Sequence, residues 1–313
     1  MKPGLWRGRD VLSMLDLSAE EIVMVLDYAA ALKERQRRGE RHPALAGKTL
    51  AMIFHKPSTR TRISFEVAMN QLGGSSLFLG PGELQIGRWK ELADMARVLS
   101  RYVEGIAVRT FGQEIAEELA RHATVPVING LTDREHPCQI LADLLTIREH
   151  KGRLEGIRAA YVGDGNNVAH SLMLACPRVG VDLAVATPPE YRPAQDVVAA
   201  AGEMAARSGT RLELTDDPVA AVTGADVVFT DVWASIGKEA EAAERERVFR
   251  PYQVNADLVR HARPDYIFLH CLPARRGEEV TEEVIDGPAS AVWDAAENRL
   301  HVQKALLLLT MGE

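Results

Sequence analysis

Short apolar runs alternate with helix-length amphipathic stretches along almost the whole chain, and this alternation constrains the fold more than any other feature. TLAMIF at 49–54, SSLFL at 75–79, GIAVR at 105–109 and VPVIN at 125–129 have strand length and are separated by helical patterns. Strands separated by helices require crossover connections, hence a parallel sheet in an α/β fold. A second series opens at IRAAYVGDG and continues through VDLAVAT, TRLELT, ADVVFTDV and DYIFLHCL. The polar stretch KGRLEG at 151–156 lies between the two series and marks a boundary. Two α/β domains of similar size follow, 1–150 and 151–297, and 313 residues is a length that suits two domains.

Local signals agree with this division. Ser18 and Glu21 are spaced as a capping box at the start of a first amphipathic helix. Pro137 suits the first position of a helix running through ILADLLTIREH. The Ala/Glu-rich KEAEAAERER at 238–247 reads as a mobile charged loop, and no fixed-period repeat is present. With 37 Lys+Arg against 44 Asp+Glu, the formal charge of −7 does not attract nucleic acid or an anionic membrane, so an anionic ligand must be held locally. The first ten residues contain no apolar signal-peptide core and no membrane-length apolar run occurs, which points to a cytoplasmic protein. Cys138, Cys176 and Cys271 form no disulfide framework or metal-ligand spacing, consistent with a reducing compartment and no structural zinc.

Five segments bear on chemistry. Ser58-Thr59-Arg60-Thr61-Arg62 sits between a strand and a helix, where hydroxyls, a guanidinium and a helix N-terminus can cradle phosphate; its bland alternative is an ordinary capped helix. His136-Pro137-Cys138-Gln139 places an imidazole and a carboxamide at another helix start, and a neutral His can donate to a polarised carbonyl. His270-Cys271-Leu272-Pro273 follows the apolar YIFL and so lies at the carboxyl end of a strand, where open α/β sheets bind ligands. A Cys–His nucleophile pair is the runner-up reading there, against a buried spacer. Gly163-Asp164-Gly165-Asn166-Asn167 resembles a dinucleotide turn but lacks the GxGxxG pattern. Asp231 and Ser235, in DVWASIG after ADVVFT, add a carboxylate and a hydroxyl suited to an amino-acid head group.

Taken in this order, STRTR at 58–62, RT at 109–110, HPCQ at 136–139, GDGNN at 163–167, DVWASIG at 231–237 and HCLP at 270–273 resemble the aspartate/ornithine transcarbamoylase family. The likeness runs nearly end to end, through MARVLSRYVEGIAVRTF at 95–111 and AENRLHVQKALLLL at 296–309, and the second half is similar to the ornithine branch. The resemblance implies two doubly wound parallel-sheet domains with the active site in the cleft between them, and a last helix, about 298–313, packed back on the first domain. It implies transfer of a carbamoyl group from carbamoyl phosphate to the side-chain amine of ornithine, with no metal or organic cofactor. Ser58, Thr59, Arg60 and Thr61 would hold phosphate, and Arg109, His136, Gln139 and Arg299 would surround the carbamoyl group. Asn167, Asp231 and Ser235 would hold the amino-acid head group, with Ile236 over its side chain. Cys271 and the Leu272 carbonyl would lie near the attacking nitrogen and the carbamoyl group. Gln85 would reach the site of a neighbouring subunit in a homotrimer.

Two departures bear on specificity. Ile236 stands where Met is usual between Ser and Gly, and QIGRWKE around Gln85 places Trp89 and Lys90 where the family has QLGRGE. Competing readings are a transcarbamoylase for putrescine or an N-acylornithine, and a non-catalytic binding protein on the same scaffold, for which losses in STRT or HPxQ are expected and are not seen.

Overall fold

The computed structural model describes residues 2–81, 89–234 and 239–313. It divides into two compact units, Met1–Ala142 with Glu297–Glu313, and Asp143–Ala296. Gln85, Ser235 and Ile236, and the side chains of Trp89 and Lys90, lie outside the described residues.

The first unit is built on β1 (Thr49–Phe54), β2 (Ser75–Leu79), β3 (Gly105–Arg109) and β4 (Val127–Leu131), all parallel in the order β2-β1-β3-β4. Its helices are α1 (Ala19–Arg37), α2 (Thr59–Gln71), α3 (Trp89–Leu99), α4 (Gln113–His122) and the start of α5 (Pro137–Lys151). The second unit carries β5 (Arg158–Val162), β6 (Asp182–Ala186), β7 (Leu212–Thr215), β8 (Val227–Thr230) and β9 (Ile267–His270), parallel in the order β7-β6-β5-β8-β9. Its further helices are α6 (Asn167–Ala175), α7 (Gln195–Ser208), α8 (Pro218–Val222), α9 (Ala242–Phe249), α10 (Ala256–Val259) and α11 (Glu282–Ile285). Helix α12 (Val292–Met311) closes the chain. The expected two parallel-sheet α/β domains are what the chain forms.

Each strand order reverses direction once, between β1 and β3 in one sheet and between β5 and β8 in the other. At such a switch point the connections leave on opposite faces, so a crevice opens at the carboxyl ends of the two central strands. Ser58–Arg62 follows β1 and Arg109 ends β3, while Gly163–Asn167 follows β5 and Asp231 follows β8. Topology alone therefore gathers four of the sequence motifs at two places.

The local signals act as read. Ser18 Oγ accepts the Glu21 N–H at 3.2 Å while the Glu21 carboxylate accepts the Ser18 N–H at 2.9 Å, closing the capping box. Pro137 opens α5, where its missing N–H costs nothing. Two expectations shift. β4 begins at Val127, two residues late, because Pro126 has no N–H to give, although its carbonyl accepts the Ile106 N–H. Of the stretch 238–247, expected as a mobile charged loop, residues 239–247 are helical, and Arg245 is buried, donating to Asp164 at 2.9 Å and to the Trp233 carbonyl at 2.8 Å.

Phe65 is fully buried on α2 and anchors that helix in the first unit. Phe65→Ala should destabilise the protein by about 3–5 kcal/mol, through lost transfer energy and the cavity left behind. Urea unfolding of the two proteins checks this, and a loss below ~1 kcal/mol would show that α2 is held by other contacts.

Candidate active site

In the first unit, Ser58 caps α2, its Oγ accepting the Thr61 N–H at 3.2 Å. The Ser58 hydroxyl in turn donates to Thr61 Oγ1 at 3.0 Å, and Arg299, on α12, donates to the same oxygen at 2.7 Å. With both donors directed at its oxygen, the fully buried Thr61 hydroxyl has its own hydrogen left to donate. Thr59 is exposed and Arg60 half-buried on the first turn of α2, where the free N–H groups and the helix dipole favour an anion. Arg60 Nε is buried with no hydrogen-bond partner among the described residues.

His136, Gln139, Arg109 and Arg299 are all buried. The His136 carbonyl accepts the N–H groups of Gln139 and Ile140, placing its imidazole at the N-terminus of α5. Burial, and then Arg299, Arg109 and Arg60, hold the His136 pKa well below that of a free histidine. This imidazole is therefore neutral at pH 7, a hydrogen-bond donor rather than an acid, and three guanidiniums set the potential around it. Ser58, Thr61, Arg60, Arg109, His136 and Arg299 thus form one constellation. Its neighbour Cys138 is fully buried, donates to the Asn129 carbonyl at 3.4 Å, and has its thiol pushed up to about 12 by burial, so it is no nucleophile.

Sequence reasoning passed over the residue before His136. Glu135 is buried, accepts the Met14 N–H at 2.9 Å and takes the Ser13 hydroxyl, tying the N-terminal segment to the His136 loop. Only its adjacency to HPCQ could have signalled it.

In the second unit, Asp231 is buried and well supplied with donors. Its Oδ2 accepts from Asn166 Nδ2 at 2.7 Å, and its Oδ1 accepts the Val232 N–H at 2.8 Å and the Cys271 thiol at 3.0 Å. Asn166, not named from the sequence as a head-group ligand, is bonded to Asp231, while Asn167, expected to hold the amino-acid head group, is half-buried as the first residue of α6. Asn166 is also the N-cap, its Oδ1 accepting from Val168 and Ala169; the preference of Asn for that position is the signal that could have found it. Cys271 and Leu272 are half-buried, just past β9.

Asp231, His270 and Cys271 each place one ligand-type atom within 4.8 Å of the others. Both ring nitrogens of His270 already have partners, Leu272 N–H and Glu279, so a cation there would have to break one of those bonds.

The chain was compared with known proteins. Residues 9–149 match the carbamoyl-P binding domain model of aspartate/ornithine carbamoyltransferase, and residues 155–310 match its Asp/Orn binding domain model. The chain is 64% identical over 307 residues to the ornithine carbamoyltransferase of Carboxydothermus hydrogenoformans, covering 98% of this chain and 99% of that one. It is 59% identical to the anabolic ornithine carbamoyltransferase of Pyrococcus furiosus, covering 97% of each. The solved structure of the Pyrococcus furiosus enzyme superposes with a TM-score of 0.95 over 97% of both chains. The anabolic enzyme of Campylobacter jejuni, 38% identical, superposes with a TM-score of 0.90 over 96% of this chain and 97% of that one. Two domain models that between them span most of the sequence, and relatives this similar over nearly its full length, place the chain in the aspartate/ornithine carbamoyltransferase family.

Proposed function

We propose that this protein transfers the carbamoyl group of carbamoyl phosphate to the δ-amine of L-ornithine, giving L-citrulline and phosphate. The observation that carries the reading is the gathering of Arg60, Arg109 and Arg299 around a neutral His136 and the Thr61 hydroxyl. That arrangement suits a dianionic acyl phosphate whose carbonyl oxygen gains charge during reaction.

The amine nitrogen adds to the carbamoyl carbon, forming a C–N bond and a tetrahedral oxyanion. The oxyanion then collapses, the bond between the carbamoyl carbon and the bridging phosphate oxygen breaks, and the proton lost by the nitrogen passes to the departing phosphate. Arg109, His136 and Thr61 are donors for the oxyanion, and donors already fixed in a dry site need no reorganisation when the charge appears. Ser58, Thr59, Arg60 and the α2 N-terminus receive the departing phosphate, with Gln139 and Arg299 holding the carbamoyl end. Asp231 attracts the cationic end of the amino acid, assisted by Asn166 and Asn167, and Cys271 and the Leu272 carbonyl lie toward the attacking nitrogen. Ser235 and Ile236 complete that end, and Gln85 is contributed to a neighbouring subunit of a homotrimer. Holding two small substrates together supplies much of the rate. The naming of two relatives as anabolic supports a role in arginine biosynthesis, and the cytoplasm is the compartment proposed for it.

The test is purified protein with carbamoyl phosphate and a panel of amines. Ornithine should exceed lysine and putrescine by at least about tenfold in kcat/KM, the scale of one methylene or one lost polar contact. Putrescine outperforming ornithine would remove the ornithine assignment and leave carbamoyl transfer standing. Arg60→Ala should lower kcat by roughly 100-fold or more with circular dichroism unchanged, since it removes a charge that stabilises the leaving group. Near-normal turnover would refute the phosphate role.

A further inference from the structure

The two residues behind the Cys271–Leu272 turn have no place in the mechanism above, yet their hydrogen bonds determine the shape of that turn. His270, the last residue of β9, and Glu279 are both buried. The Leu272 N–H donates to His270 Nδ1 at 2.8 Å, and only a ring nitrogen without hydrogen can accept it. The ring hydrogen is therefore on Nε2, which donates to Glu279 Oε1 at 3.1 Å. The same carboxylate oxygen accepts the Arg275 N–H at 2.6 Å. One acceptor thus ties residue 270 to residue 275 and pins both ends of the intervening loop.

Inside that loop Leu272 has φ 57°, the left-handed region that an L side chain disfavours. Nothing in the local sequence prefers this conformation, so the bond from its N–H to His270 must help to hold it. That bond exists only in the Nε2–H tautomer, and Glu279 selects that tautomer. Without an acceptor at Glu279 the ring could carry its hydrogen on Nδ1, and two N–H groups would then face each other across the turn. Cys271, held by the same turn, gives its thiol to Asp231 Oδ1 at 3.0 Å, so a shift of the turn also disturbs the carboxylate.

We infer that Glu279, acting through the His270 tautomer, is a positioning residue for the carbamoyl acceptor, holding the Cys271–Leu272 turn against Asp231. The inference rests on the reading that this end of the protein takes the amine. It assigns Glu279 an acceptor's role, with no proton transferred.

The experiment compares Glu279→Met and Glu279→Gln in the full chain, with separate kinetic constants for both substrates and the His270 tautomer read by 15N NMR of histidine-labelled protein. Glu279→Met should lower kcat/KM for ornithine by about 10- to 100-fold, the range for misplaced reacting groups, and change the His270 ring signals, while KM for carbamoyl phosphate stays within about twofold. Glu279→Gln, whose amide oxygen can accept the same two N–H groups, should recover most of the loss and keep the tautomer. If Glu279→Met does not fold, His270→Asn makes the same test: its side-chain oxygen can accept the Leu272 N–H but cannot reach Glu279, and ornithine kinetics should again suffer selectively. Unchanged ornithine constants in a folded Glu279→Met protein, equal losses toward both substrates, or Glu279→Gln as damaging as Glu279→Met would overturn positioning. Asp231→Asn separates this failure from that of the underlying reading. Should it also leave ornithine constants unchanged, the amine assignment itself falls; should it abolish them while Glu279→Met does not, only the positioning role is lost.

Discussion

The first unit depends on an unfavourable arrangement, three guanidiniums brought to a buried imidazole. Desolvating a cation costs several kcal/mol even after relaxation, and like charges add to that cost. The fold brings them together because Arg60 opens α2, Arg109 ends β3 and Arg299 is delivered by α12 from the far end of the chain. Burial and these three charges together keep His136 neutral, so the histidine adds a donor without adding a fourth charge. Such a constellation is most favourable when an anion occupies it, and an acyl phosphate supplies the charge.

The second unit has the opposite character. Asp231 is buried at the switch point of its own sheet and receives donors from Asn166, Val232 and Cys271, which fix both oxygens in place. A carboxylate held in this way suits a cationic amino-acid group. The two sheets therefore present complementary electrostatics at equivalent topological positions, cationic after β1 and β3 and anionic after β8. This is the pairing expected for an anionic donor and a cationic acceptor, and it agrees with relatives named for carbamoyl transfer to ornithine.

Features set by local chemistry were legible in the sequence. The Ser18–Glu21 box, Pro137 at its helix start and the strand runs depend on neighbours a few residues away, and so the linear pattern contains them. Features set by distant partners were not. Arg245 looks like one charge in an acidic stretch until Asp164, 81 residues away, takes it into the interior. Asn166 and Asn167 are adjacent and chemically identical; only the placement of the α6 N-terminus decides that Asn166 meets Asp231. Glu279 is one of many acidic residues near the C-terminus, and its bond to His270 appears only when the turn between them closes. The site motifs themselves were recognisable because each sits at a strand end, while the neutral state of His136 required knowing that the ring is buried, with Arg299, Arg109 and Arg60 around it.

That neutral state is the point on which the account of catalysis turns, since a protonated His136 would hold a fourth charge among three arginines and act as an acid rather than a fixed donor. The most direct measurement is the 15N and 1H NMR titration of the His136 ring in ligand-free protein from about pH 5.5 to 8.5, assigned with a His136→Gln variant. The account predicts neutral-imidazole shifts across this range, because the folded pKa lies well below the free-histidine value near 6.5. A titration centred near 6.5, with imidazolium shifts at the acid end, would contradict it.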